Sequence, residues 1–281
     1  MAVASRLGLS PLLGGLAALL GLLVFAAPPA PAAERGATLW LDGGAGLLKV
    51  RVFEGAAAGA RPPLLVFLHD DAPFQPPVFA ERFARAVAEH RPEVVAAALL
   101  RPGYTDMTGD RSAGERGRAA GDAYTAEAAT AVAGALRALA RRYDSAKVVL
   151  LGQAGGAALA AVVLGTAPEL AAGALLLACP CDLADWRRHM AAVAPGSAWS
   201  EPVRSLSPLD LVPRLRDGLV IRLLVSAEDP VAPPRLSEAY LRALTARGLE
   251  ARLTVLPGSR HDLLFDPAVF AALDALLDAG R

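Results

Sequence analysis

The sequence has no surplus of either charge: 28 basic residues balance 28 acidic ones. Nucleic-acid binders normally carry a basic excess, so no nucleic-acid partner is expected. Lysine is almost absent, with Lys49 and Lys147 the only examples among many arginines. The phosphate loop Gly-x-x-x-x-Gly-Lys is missing, and the glycine-rich turn at 152–156 has no lysine nearby. Cysteine is scarce too, with only Cys179 and Cys181 around Pro180. A bridge across one residue closes a small strained ring and stabilises little, so two buried free thiols are expected. His189 is the only further Cys or His nearby, which makes a metal site unexpected. No internal repeat is visible.

What is present is bulk and hydrophobicity. The 281 residues are 54% hydrophobic and 20% charged, enough for one large domain with a sizeable core. The first 33 residues stand apart. Arg6 gives a short positive start, residues 7–27 are almost wholly apolar, and Pro28, Pro29 and Pro31 then break any helix. Small residues at Ala30, Ala32 and Ala33 suit a cleavage site, so residues 1–33 are expected to be a secretory signal peptide. The alternative is an uncleaved N-terminal membrane anchor, since the run approaches spanning length. Both place residues 34–281 outside the cytoplasm, periplasmic or secreted.

Beyond residue 37, short apolar runs alternate with helical patterns. Strands are expected at 38–41, 47–53, 64–68, 94–100, 148–151, 174–179, 219–225 and 251–256. Helices are expected at 78–90, 124–143, 155–165, 234–247 and 267–279. Continuous apolar strands alternating with helices predict an α/β fold, a mostly parallel sheet covered on both faces. Residues 180–217 break the rhythm with prolines and tryptophans and are expected to form a small inserted cap. Trp186, His189, Met190 and Trp199 in it are candidates to line a pocket.

In such sheets ligands bind beyond the carboxyl ends of the strands, and four polar segments fall there. Gly152-Gln153-Ala154-Gly155-Gly156 follows a strand and opens a helix. It has the Gly-x-Ser-x-Gly frame of a nucleophile elbow with Ala154 in the serine position, and Gly155 as a backbone oxyanion donor. Asp229 follows the 219–225 strand and His261 follows the last one. Elbow, then acid, then histidine resembles the chain order of the α/β-hydrolases; chemically, the aspartate would orient the imidazole and the imidazole would take the nucleophile's proton. The fourth segment is His69-Asp70-Asp71-Ala72-Pro73. By resemblance to the α/β-hydrolases, where this loop is usually His-Gly, it is expected to supply the second oxyanion N–H, with Asp70 standing in the glycine position and His69 structural. A carboxylate there would oppose the charge an oxyanion hole exists to stabilise. Arg101 and Tyr104 are placed at the pocket mouth, Asp106 and Asp110 on solvated loop. Ser226, Ser259 and Cys179 lie near enough to be considered as substitute nucleophiles, but none sits on an elbow.

These segments, with Arg101-Pro102-Gly103-Tyr104 and Ser207-Pro208-Leu209-Asp210, make residues 47–279 resemble an α/β-hydrolase of the serine esterase/peptidase type. The dienelactone-hydrolase and prolyl-oligopeptidase-like branch is the nearest in pattern. The resemblance implies hydrolysis of esters, amides or lactones without a cofactor, on a small acyl-type ligand. It maps Ala154 to the nucleophile, Asp229 to the acid, His261 to the base, and Asp70 and Gly155 to the oxyanion loop. A methyl group cannot attack a carbonyl, so hydrolysis is expected to be lost or very weak. The alternatives are an active hydrolase with another nucleophile and a non-catalytic periplasmic binding protein.

Overall fold

A computed structural model of the chain describes residues 36–71, 76–117 and 121–279; the expected signal segment 1–33 lies outside the described residues. Eight strands form one sheet. They are β1 (Ala37–Asp42), β2 (Leu47–Glu54), β3 (Leu64–Leu68), β4 (Val95–Leu99), β5 (Val148–Gln153), β6 (Gly173–Leu177), β7 (Val220–Ser226) and β8 (Glu250–Leu256). Their spatial order is β1-β2-β4-β3-β5-β6-β7-β8. β2 pairs antiparallel with β1 and β4, and every other neighbouring pair is parallel.

The helices are α1 (Phe79–His90), α2 (Ala126–Arg142), α3 (Gly155–Thr166), α4 (Leu183–Val193), α5 (Pro234–Ala246) and α6 (Pro267–Asp278). Strand periodicity sorts the core between them. Leu64, Val66 and Leu68 of β3 join a cluster with α2, α3 and α5, while Leu65 and Phe67 join α1 and α6 on the opposite face. That two-sided burial explains why β3 is apolar at every position, as central strands of parallel sheets are. α3 is buried along almost its whole length, with only Thr166 left exposed. Its Ala- and Gly-rich sequence lets it lie close on the strands.

The segment 180–217 holds α4 and two short 3-10 turns, Ser197–Trp199 and Pro208–Arg214. α4 is fastened to the loop after β7: Trp186 Nε1 donates to the Val231 carbonyl at 3.0 Å, and His189 Nε2 lies 2.8 Å from the Pro230 carbonyl. Trp186 and Trp199 pack edge to face, 5.6 Å between centroids.

The cysteines are a correction: Cys179 and Cys181 are disulfide-bonded, not free. Directly after β6, Ala178 takes a positive φ of 46°. The chain then turns at Pro180 so that the two Cα atoms lie 5.1 Å apart, within bridging range. Local turn geometry, which the spacing alone does not reveal, supplies the closure.

Candidate active site

β5 passes into α3 through one residue, Ala154, whose backbone sits at φ 49°, ψ −119°. This region is sparsely populated by residues with a side chain, at a cost of about 1–3 kcal/mol. The flanking glycines allow the crossing. A Cβ at Gly152 would meet the Gly156 carbonyl oxygen at 2.4 Å, and one at Gly156 would meet the Leu68 and His69 carbonyl oxygens at 2.1 and 2.3 Å. The Gly-x-Ala-x-Gly frame is thus a packing requirement of α3 against β5 and β3. Ala154 as a whole is 9% exposed.

The loops after β7 and β8 bring Asp229 and His261 together. His261 Nδ1 lies 2.9 Å from Asp229 Oδ2 and 3.0 Å from Oδ1. Asp229 is buried, and its Oδ1 also accepts the N–H groups of Val231 and Ala232 at 2.8 and 2.9 Å. A carboxylate held this way fixes the Nδ1–H tautomer and leaves Nε2 as the proton acceptor.

The His69 loop departs most from expectation. His69 is buried; its Nε2 accepts the Arg101 N–H at 3.1 Å and its Nδ1 lies 2.8 Å from the Asp70 carbonyl. That pattern requires the neutral ring, and burial followed by the nearby Arg101 charge holds its pKa well below the usual value. The Asp70 carboxyl lines a small cleft of about 110 Å³ with Gln153, Asp262, Phe79 and Leu264. Burial, and then repulsion from Asp71, raises its pKa. The carboxylate that lies against Gly155 belongs to Asp71 instead. A Cβ built on Gly155 would stand 2.2 Å from both Asp71 carboxylate oxygens. Sequence reasoning placed the carboxylate in the right loop and missed which of two adjacent aspartates lies against Gly155.

Asp71 is held by three residues. Arg101 Nη2 lies 3.0 Å from Asp71 Oδ1, the Tyr104 hydroxyl donates to Oδ1 at 3.2 Å, and the Tyr124 hydroxyl donates to Oδ2. The expected place of Arg101 at a pocket mouth is corrected: it is fully buried, with its guanidinium over the rings of Tyr104 and Tyr124. Burial, then the Asp71 charge, raises the Tyr124 pKa well above its usual value. Asp106 and Asp110 both bond the ammonium of buried Lys49; the Asp106 side chain is withdrawn from solvent, while that of Asp110 stays 47% exposed on its loop. No sequence pattern linked Lys49 to a loop some sixty positions away.

The substitute nucleophiles fare poorly. Ser226 is fully buried, Ser259 is exposed, and Cys179 is bridged. A larger cleft of about 960 Å³ lies between the 101–117 loop and the end of the inserted segment, and its lining includes none of Ala154, Asp229 and His261.

No family model matches the chain, and no curated protein matches it in sequence. Solved structures do match. Puromycin hydrolase superposes with a TM-score of 0.69 at 19% identity, over 89% of this chain and 40% of its own length. Pyrococcus horikoshii acylaminoacyl peptidase gives 0.64 at 13% identity, over 86% of this chain and 40% of its own. Esterase PE8 gives 0.58 at 20% identity, over 82% of this chain and 97% of its own. The fold is that of the α/β-hydrolases. Within that α/β-hydrolase fold the chain spans 40% of the length of the two larger enzymes and nearly all of the esterase.

Proposed function

We propose that this is an exported α/β-hydrolase-fold protein, related to serine esterases and peptidases, in which acyl transfer at the elbow is lost and the site serves to bind a small acyl-type ligand. One observation carries this reading: Ala154 occupies a fully formed elbow, and the three candidates to replace its missing hydroxyl are buried (Ser226), exposed on the surface (Ser259) and bridged (Cys179). In serine proteases, loss of the nucleophile costs on the order of a million-fold in turnover. The Asp71 carboxylate beside Gly155 adds negative charge where a tetrahedral intermediate would develop its own. Export is supported by the composition of residues 1–33 and by a disulfide, which persists in oxidising compartments.

The formed His261–Asp229 pair favours a second reading, slow hydrolysis in which His261 activates water directly. Turnover of short-chain p-nitrophenyl esters by the wild type and by His261→Ala separates the two. The expected result is no turnover above buffer in either protein, and no covalent labelling of the wild type by a fluorophosphonate. Wild-type turnover that His261→Ala abolishes would overturn the proposed loss, and a labelled wild type would locate another nucleophile.

A further inference from the structure

The side chains around Asp71 form a more complete anion cage than one ion pair requires. Arg101 is fully buried, with its guanidinium 4.9 and 5.8 Å from the ring centroids of Tyr104 and Tyr124. The Tyr124 hydroxyl donates to Oδ2, and the Tyr104 hydroxyl lies 3.2 Å from both Oδ1 and the Asp71 carbonyl oxygen. Gly155, the first residue of the twelve-residue helix α3, also lies against the carboxylate, where the helix dipole favours negative charge. Arg101 Nε is buried without a hydrogen-bond acceptor among the described residues, and Nη2 faces Asp71 without hydrogen-bond alignment. The cage therefore has donor capacity that Asp71 leaves unused.

We propose that Arg101, Tyr104, Tyr124 and the start of α3 form an anion site at the elbow, that Asp71 is its built-in occupant, and that the site takes a small free carboxylate once that side chain is removed. The proposal rests on the reading of the elbow as a disarmed acyl-transfer site and extends it. A carboxylate in the cage stands in for the oxyanion of a tetrahedral intermediate. It uses the positive potential of the site and repels a second negative charge. Two separate barriers follow: Ala154 removes the attacking atom, and Asp71 fills the place where charge must develop. Serine at position 154 alone leaves the second barrier standing.

Two measurements on the full chain test this. In thermal melts with rising sodium acetate, ionic strength held constant with chloride, Asp71→Gly is expected to show a saturable rise in Tm. The wild type and Asp71→Gly/Arg101→Met are expected to show none. A flat response in Asp71→Gly, or the same rise in all three, overturns the site. Fluorophosphonate labelling of Ala154→Ser is compared with that of Ala154→Ser/Asp71→Gly, and with Ala154→Ser/Asp71→Asn should the glycine variant fail to fold. Labelling is expected to be faster in the double variant by on the order of a hundredfold, the scale of one oxyanion donor. Equal labelling, including none in either, overturns the blocking role. Wild-type turnover dependent on His261 would instead sink the reading of the elbow and leave acetate binding untouched.

Discussion

Alanine at position 156 sets two effects of opposite sign against each other. Alanine is favoured over glycine inside a helix by about 1 kcal/mol, and Gly156 is the second residue of α3. Its new Cβ, however, would lie 2.1 Å from the Leu68 carbonyl oxygen and 2.3 Å from that of His69. Both distances fall short of ordinary van der Waals separation by about 1 Å or more. The obstructing atoms are backbone at the end of β3, a strand buried on both faces, so no rotamer change relieves the clash. Overpacking costs about 1–3 kcal/mol, occasionally more, and two rigid contacts place this site near ~3 kcal/mol. The steric term wins, leaving a net loss of about 2 kcal/mol. At this chain length that corresponds to a fall in Tm of about 4–8 °C. Gly196 serves as control, because its backbone is extended and nothing lies within 4 Å of a Cβ built there; Gly196→Ala should melt with the wild type. Calorimetry of the three proteins decides the matter. If Gly156→Ala melts at or above the wild-type temperature, α3 does not depend on close approach to β3 and the account of the glycine frame fails.

Three further outcomes follow from single side chains. Asp71→Ala strands the buried Arg101 cation; breaking a buried pair costs about 3–5 kcal/mol, reduced to ~2–3 kcal/mol because the Asp71 side chain is 31% exposed. Glu169→Ala breaks the largely exposed pair with Arg137 and should cost less than about 1 kcal/mol, so equal losses in urea melts would refute the distinction. Tyr240 is fully buried, and its hydroxyl has no hydrogen-bond partner among the described residues. Tyr240→Phe removes that unsatisfied group and should raise stability by about 1 kcal/mol; a lower Tm would show that the hydroxyl has a partner. Asp266 caps α6 by accepting the Ala268 N–H at 2.9 Å; that bond, then Arg260, holds its pKa below the usual value. A depressed folded pKa adds stability above the unfolded value and loses it as pH falls through the folded one. Asp266→Ala should therefore cost about 1 kcal/mol at neutral pH, with the gap to wild type closing in acid below the unfolded carboxylate pKa. A gap that stays constant across that range would assign the effect to packing.

The fold was legible where burial is two-sided. The apolar run 64–68 coincides with β3 because both faces of that strand meet helices. β5 runs on to Gln153, two residues past its apolar stretch, because buried polar Gln153 still pairs with β6. α2 starts at Ala126, where the Thr125 side chain caps it, and not at the periodic Tyr124, which turns instead toward Asp71. In the site, the order of elbow, Asp229 and His261 was readable because each directly follows a strand of a parallel sheet. Side-chain direction within a loop was not. Asp70 and Asp71 are chemically identical in sequence, and what tells them apart is the set of distant partners, Arg101, Tyr104 and Tyr124, that the fold brings to Asp71. The lysine cluster and the Cys179–Cys181 bridge stayed hidden for the same reason, since each depends on how a turn closes in space.

A strained elbow without a nucleophile raises the question of what maintains the strain. The neighbouring strand supplies the answer. Ala154 follows β5 with φ 49° and donates its N–H to the Leu177 carbonyl at the end of β6. Ala178 follows β6 with φ 46° and donates its N–H to the Leu224 carbonyl of β7. Both bonds measure 2.8 Å. Position 178 lies outside the elbow, yet it repeats the positive φ and the hydrogen bond to the next strand one strand across. The left-handed turn is therefore a way for a buried strand of this sheet to leave while its next N–H remains bonded to the adjacent strand, and leaving that N–H unpaired would cost about 1–3 kcal/mol. That cost is comparable to the backbone strain itself, so the two offset without any contribution from catalysis. The elbow geometry at Ala154 consequently carries no weight as a sign of activity, and the question of turnover falls on the atoms the elbow presents: a methyl group from Ala154 and a carboxylate from Asp71.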